Sequence, residues 1–376
     1  MTNRLKLIDL FSGIGGLSIG FKKTGFTPLL GVEYDKEIAL AYEKNVKAKC
    51  ISEDIQKINP KDILSTLSLK AGELDVIVGG PPCQGFSMAN RKRILDDPRN
   101  RLFVHFMKMV KELKPKAILI ENVHGLKSHS VINEIFTEFH KFGYDLNYQV
   151  LDAVRFGVPQ FRERLFFAGN IDGVKFKFPE GEYSAKEKSG QKMLFGAQKN
   201  IHNKEYITVC EAISDLPRLK RGESEEDYSM DPITQYQKER RGRMKNLHNH
   251  SATPHNEEAY KRIKLIKQGQ NWVNLPKNLQ TKSCHSGAYG RLSDDSPSPT
   301  ITTRIDTPTN GKKIDVKTAY KTFHKRILIP FDQFDHERAK DYYVGVKIIM
   351  YKKEGHIYGF TTKERLLENK KIDFGE

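Results

Sequence analysis

Cys83 stands just past two prolines in Gly79-Gly80-Pro81-Pro82-Cys83-Gln84-Gly85-Phe86-Ser87, directly after the apolar run Val76-Ile77-Val78. A thiol that only fills a core belongs inside such a run. Proline fixes φ and removes an amide donor, so Pro81 and Pro82 stiffen the approach. Glycine on either side leaves room for a ligand. The segment reads as a rigid mount for an exposed nucleophile, whose thiolate form would need nearby positive charge or helix amides. Cys50, Cys210 and Cys284 lie in no comparable setting, and no CxxC pair occurs. A zinc site or a disulfide framework is therefore not expected, and a reducing compartment fits.

Two further groups could share that chemistry. Glu121 follows the apolar run Ala117-Ile118-Leu119-Ile120, so it should leave its strand at the same carboxyl edge as Gly79. Gln160-Phe161-Arg162-Glu163-Arg164 offers two alternating guanidinium groups for one side of a strand. An arginine there could hold a substrate oxygen, lower the pKa of the thiol, grip a phosphate or brace Glu121.

A ligand pocket is suggested by Asp9-Leu10-Phe11-Ser12-Gly13-Ile14-Gly15-Gly16, between a strand and a helix. Glycines at that point allow a tight turn and close backbone approach to a nucleotide-like molecule. Glu33 ends the next apolar run, where a carboxylate commonly accepts from ribose hydroxyls. Asp54 follows Cys50-Ile51 and could accept from an adenine amino group. The spacing leaves a dinucleotide and S-adenosylmethionine both open. The turn carries Phe11 and Ile14 and no Lys or Arg, which suits a ligand without phosphates.

The elements that must position these groups alternate. Leu5–Leu10, Leu29–Glu33, Leu74–Val78, Ala117–Ile120, Leu146–Leu151 and Leu165–Ala168 read as strands. Helical spacing covers Gly15–Lys23, Ile38–Asn45, Leu102–Leu113 and Ile132–Phe139. Alternation of this kind predicts an α/β fold with a doubly wound, mostly parallel sheet. The texture changes after Asn170. Residues 180–250 are polar and weakly periodic, and Lys238, Arg240, Arg241, Arg243 and Lys245 cluster as candidate phosphate contacts.

Taken together, these motifs resemble the DNA (cytosine-5)-methyltransferases of bacterial restriction-modification systems, from Leu5 to about Gly311. The Pro-Pro-Cys loop is similar to their catalytic loop, Glu121-Asn122-Val123 to their catalytic acid, and Gln160 to Arg164 with the preceding Phe156-Gly157-Val158-Pro159 to a further active-site element. Phe-x-Gly-x-Gly after the first strand is their first motif. The resemblance implies S-adenosylmethionine as cofactor, held by Phe11, Gly13, Gly15, Gly16, Glu33, Tyr34, Asp54, Ile55, Pro82 and Leu102. It implies catalysis by Cys83, Glu121, Arg162 and Arg164: thiolate attack on C6, a carboxyl with a raised pKa donating to N3, and an arginine on the base, for which Arg164 is favoured. No metal is implied. The cytosine would have to leave the duplex, so a loop from about Gly85 to Arg99 should be mobile, with Arg91, Lys92 and Arg93 suited to phosphates.

The implied architecture is an S-adenosylmethionine-dependent methyltransferase fold with a smaller target-recognition domain and duplex DNA in the cleft between them. Residues 1–170 would bind cofactor and catalyse. Residues 171–311, with Arg291–Ile301, would recognise the target. Residues 312–376 depart from the pattern. The family's Gly-Asn-(Ser/Ala)-Val element is not found, and residues 342–351 and 356–360 read as a β-hairpin instead. Dependence on a second methyltransferase subunit is therefore an alternative, as are an RNA cytosine-C5 methyltransferase and a non-catalytic DNA-binding subunit. A cognate restriction endonuclease would share the target without needing to bind the chain.

Bulk properties agree. Lys and Arg number 63 against 47 Asp and Glu, a net charge of +16. That excess favours a polyanionic partner through counterion release. Neither a signal-peptide core nor an apolar run long enough to span a bilayer is present, which predicts a cytoplasmic protein.

Overall fold

Leu7, Ile8, Leu10, Val76 to Val78 and Ala117 to Ile120 are almost wholly buried. Continuous apolar runs of this kind suit strands at the centre of a parallel sheet covered by helices. In the computed structural model, which describes residues 4–82, 100–124, 129–185, 204–280, 288–301, 312–313, 347–351 and 354–358, they form β1 (Lys6–Leu10), β4 (Val76–Gly79) and β5 (Ala117–Val123). With β2 (Thr27–Glu33), β3 (Lys49–Ser52), β6 (Asp145–Asp152) and β7 (Glu163–Asn170) they make a seven-stranded sheet of order β3-β2-β1-β4-β5-β7-β6. The first five strands in that order run parallel, whereas β7 is antiparallel to both β5 and β6. The chain steps outward from β1 to β3 and returns to β4 on the other side of β1. That return makes a topological switch point, the usual ligand position in open α/β sheets.

Among the described residues, five helices accompany the sheet: α1 (Gly16–Lys23), α2 (Lys36–Val46), α3 (Pro60–Leu67), α4 (Arg101–Leu113) and α5 (His129–Lys141). Helix α3 is not apparent in the sequence periodicity. Asn59 caps it by accepting from the Lys61 amide, and Pro60 occupies its first turn, where the missing N–H costs nothing. Phe103, Phe106, Met107, Val110 and Leu113 recur on one face of α4, which therefore packs into the main core with Ile63, Ile135, Phe139 and the central strands. Tyr42, Val46 and Ile19 form a smaller cluster between α1 and α2.

The chain divides into two compact units. The first holds the sheet and includes residues up to Asp152 and Glu163–Gly181; the second comprises Ala153–Arg162 and Glu182–Ile327. Short elements build the second unit: β8 (Tyr183–Ser184), β9 (Lys204–Glu205), α6 (Val209–Ile213), α7 (Gln235–Arg241), α8 (Glu257–Leu265), β10 (Gly290–Arg291) and β11 (Lys312–Lys313). Capping boxes explain why such brief helices form. Thr208 and Glu211 close the start of α6, and Thr234 and Gln237 that of α7, each pair satisfying orphan amides reciprocally. Ala259, Ile263, Ile266, Leu275, Ala288 and Tyr289 form a local core. The hairpin expected near the carboxyl end is present as β12 (Lys347–Tyr351) antiparallel to β13 (Glu354–Tyr358). No described helix is long and apolar enough to cross a membrane.

Candidate active site

The turn after β1 is held in an uncommon backbone shape. Phe11, Gly13 and Gly15 all have positive φ, at 58°, 54° and 97°. For a residue with a bulky side chain such as Phe11 that region is strained, and strain of this kind gathers at ligand sites. Bonds to neighbouring elements help to hold the turn. The Ser12 amide donates to the Val32 carbonyl at 3.0 Å, the Gly13 amide to Glu33 Oε2 at 3.0 Å, and Asn45 Nδ2 to the Ile14 carbonyl at 2.9 Å. A Cβ at Gly13 would meet nothing within 4 Å, so the turn faces open space there. At Gly15 a Cβ would lie 2.3 Å from Val46 Cγ2. Gly16 opens α1.

Glu33 thus sits at the carboxyl end of β2 with one oxygen on the glycine turn and the other accepting the Asp35 amide at 3.1 Å. Each carboxylate oxygen has a second lone pair, available to a hydroxyl donor. Tyr34 follows it with its ring 77% exposed, a large aromatic surface presented at the edge of the sheet. Asp54 begins the 3₁₀ turn after β3, where it accepts from the Gln56 amide. Ile55 is 3% exposed and belongs to the main core, while Phe11 and Leu102 are partly buried against that core. The set combines carboxylate acceptors, an open glycine turn and an exposed ring, with no cationic side chain in the turn. It fits a nucleoside lacking a pyrophosphate.

At the other side of the switch point, the β4–β5 ladder ends at Gly79 while β5 runs on to Val123. Gly79 pairs with Ile120 in the parallel ladder. A Cβ on Gly79 would fall 2.3 Å from the Leu10 carbonyl and 2.9 Å from Phe106, so β1, β4 and α4 can close up only around glycine. A Cβ on Gly80 would lie 3.3 Å from Glu121 Oε2. Because β7 runs antiparallel, Arg164 at its start lies opposite Val123, diagonal to Glu121 on the same pleat face. Arg164 Nε meets Glu121 Oε1 at 2.8 Å, and both side chains are mostly buried. Arg164 also donates from Nη1 to the Glu163 carbonyl at 2.7 Å. Of the roles open to the alternating arginines, the one this geometry displays is Arg164 orienting Glu121. Arg162 belongs to the second unit, with its carbonyl accepting the Ala153 amide at 3.1 Å.

Pro81 is buried and Pro82 exposed. Cys83, with Arg91, Lys92, Arg93 and the rest of the expected closing loop, lies outside the described residues. Cys50 is no rival nucleophile: burial pushes its thiol up to about 12. Sequence motifs single out Asn122 only as a neighbour of Glu121, yet its Nδ2 donates to the Pro81 carbonyl at 3.0 Å. A second buried network also escapes the motifs. Asp9 Oδ2 accepts from the Ser18 amide and hydroxyl, and Ser18 Oγ in turn contacts the Tyr42 hydroxyl at 2.8 Å. An acidic residue inside an apolar strand is the available signal. Among the described residues no group of three or more His, Cys, Asp or Glu is arranged to hold a metal ion.

In the second unit the basic cluster divides. The Arg241 guanidinium lies 3.8 Å from the Tyr228 ring centroid and donates to the Met230 carbonyl, while Arg240 lies 4.4 Å from that of Tyr236. Lys238, Arg243 and Lys245 are exposed.

The family model for C-5 cytosine-specific DNA methylase matches residues 5–336. Among characterised relatives, the type II methyltransferase M1.HphI of Haemophilus parahaemolyticus is 33% identical over 79% of this chain and 70% of its own length. The type II methyltransferase M.AgeI of Thalassovita gelatinovora is 38% identical over 66% of this chain, which spans only 60% of that relative. The crystal structure of a candidate DNA modification methyltransferase encoded within an E. coli prophage superposes with a TM-score of 0.57 at 23% identity. It covers 89% of this chain and 96% of the other, a likeness of fold.

Proposed function

Because the chain belongs to the C-5 cytosine-specific DNA methylase family, we propose that it methylates C5 of cytosine within a specific duplex DNA sequence, as the modification half of a restriction-modification system. The observation that carries this reading is the Glu121–Arg164 pair, 2.8 Å apart, beside the glycines that lead to Cys83.

Cytosine C5 is a poor nucleophile. The Cys83 thiolate adds to C6, forming an Sγ–C6 bond and moving the ring π electrons to C5, which becomes enamine-like. Glu121, in its protonated form, donates to N3 and accepts from the exocyclic amine, stabilising the negative charge that develops on N3, and Arg164 fixes the carboxyl orientation. When bound, S-adenosylmethionine would supply the electrophilic methyl group to the C5 electron pair, its sulfonium leaving as a neutral thioether. Loss of the C5 proton to a base returns the electrons and expels the Cys83 thiolate. Cytosine in a stacked duplex cannot present C6 to a thiol, so the base is extruded.

The cofactor would lie across the carboxyl ends of β1 to β4. Glu33 would accept from its ribose, Phe11 and Tyr34 would pack on its adenine, Asp54 would accept from the adenine amino group, and the backbone at Gly13, Gly15 and Gly16 would border the ligand. Ile55, Pro82 and Leu102 would complete the apolar wall. The second unit is read as the target-recognition part, and Arg162 immediately precedes β7. A cognate endonuclease would share the target without needing to bind the chain.

Bisulfite sequencing of DNA from a host expressing the chain tests the reading. Protected cytosines at one recurring sequence, absent with Cys83→Ser, are expected. Protection that persists in Cys83→Ser, or none with the native chain, removes the proposal. Purified chain given labelled S-adenosylmethionine with either duplex DNA or tRNA decides between nucleic acids, and its activity alone decides whether a second subunit is needed.

A further inference from the structure

The loop leaving β4 stays in step with β5 after the strand ladder has ended. Gly79 pairs with Ile120 through the backbone. A Cβ on the next residue, Gly80, would lie 3.3 Å from Glu121 Oε2. The one after that, Pro81, receives a hydrogen bond from Asn122 Nδ2 at 3.0 Å. Each step along the loop is therefore matched by the next residue of β5. Pro81 and Pro82 carry no N–H, so the loop cannot donate to β5 at either position. Its carbonyls can still accept, and Asn122 Nδ2 is a β5 donor that reaches one of them.

Asn122 suits that task by more than length. It is 5% exposed. Its Oδ1 accepts the Val123 amide at 2.8 Å, which sets the orientation of the amide and directs Nδ2 at Pro81. A carboxylate of the same size would set an oxygen against the Pro81 carbonyl, leaving two acceptors facing each other in a buried site.

Resting on the reading of Cys83 as nucleophile, we propose that Asn122 is a positioning residue for methyl transfer: it extends the β4–β5 register through Pro81 and thereby sets where the thiol is delivered. Glu121 and Asn122 are consecutive, so one strand end aims both the acid and the nucleophile. A displacement of about 1 Å at reacting atoms costs on the order of a hundredfold in rate.

The test uses the full chain and duplex DNA carrying 5-fluorocytosine at the site found by bisulfite sequencing, with the rate of covalent adduct formation as readout. Asn122→Asp and Asn122→Ser should each slow the adduct about a hundredfold, while the S-adenosylmethionine dissociation constant changes by less than about threefold. Acidification should restore Asn122→Asp relative to the native chain, because a protonated carboxyl again presents a donor to Pro81. Asn122→Ser is too short to reach and should not recover. The neighbouring titratable groups, Glu121, Glu163, His124 and Arg164, are common to all three proteins, so the ratio cancels their effect. Adduct rates within about threefold of native in both variants, equal losses of adduct rate and cofactor affinity, or equal acid response in the two variants would each overturn the proposal. No adduct from the native chain would instead defeat the reading of Cys83 itself.

Discussion

Asp9 illustrates how one side chain can couple a ligand turn to protonation. Its carboxyl is fully buried in β1, and burial pushes it up to about 7, with Ser18 opposing and Glu33 adding to the shift. A carboxyl raised above its unfolded value near 3.8 holds a proton that the unfolded chain has already released. Its burial therefore carries no added penalty below the unfolded value, and the full penalty once pH exceeds the folded one. The size is at most about 4 kcal/mol. Asp9→Asn keeps an acceptor for Ser18 and removes the titration. Thermal unfolding should show the variant gaining on the native chain between about pH 4 and about pH 7, and no further above that. A stability difference constant over that range would contradict the assignment. Asp9 is legible in the sequence only as an acid in an apolar strand, because Ser18 and Tyr42 reach it through the packing of α1 and α2.

The elements differ in what they tolerate at their ends. The strand ends at Leu10 and Gly79 approach so closely that a methyl group on Gly79 would overlap the Leu10 carbonyl at 2.3 Å. Gly13 lies in a turn that needs a left-handed backbone but opens onto empty space. Gly79→Ala should destabilise the fold by about 3 kcal/mol or more, since backbone cannot move aside as a flexible side chain can. Gly13→Ala should cost only about 1–2 kcal/mol, yet weaken S-adenosylmethionine binding at least tenfold. Urea midpoints and cofactor titrations on both variants give the comparison; equal stability losses would refute it. The strand and helix sites are readable because apolar runs and amphipathic spacing are local signals. Helix α3 is not, as its Asn-Pro cap is stronger than its short periodicity. The Glu121–Arg164 bond is foreseeable only as one option, because its diagonal register depends on β7 running antiparallel beside β5.

Across the whole molecule, the net charge of +16 favours a polyanionic partner, so the proposed binding to DNA should depend on salt. Arg241 already serves the fold through Tyr228 and the Met230 carbonyl, so it is a poor candidate for phosphate contact. Lys238, Arg243 and Lys245 remain exposed for it. Replacing those three by Ala should flatten the plot of log affinity against log salt by roughly 2–3, at about 0.9 for each phosphate no longer neutralised. Filter binding on duplex DNA across a salt series measures the slope, and an unchanged slope would show that these cations face away from DNA.

The order of amino acids alone determined the α/β alternation, the parallel core and the family, because burial period and short motifs are written in consecutive residues. Tertiary structure decided which partners those residues meet: Asn122 with Pro81, Arg164 with Glu121, Asp9 with Ser18, Glu33 with the glycine turn. These contacts join residues separated by 9 to 43 positions or arise from strand register. Neither distance nor register has a local signature, since both follow from which strands lie side by side once the core has closed.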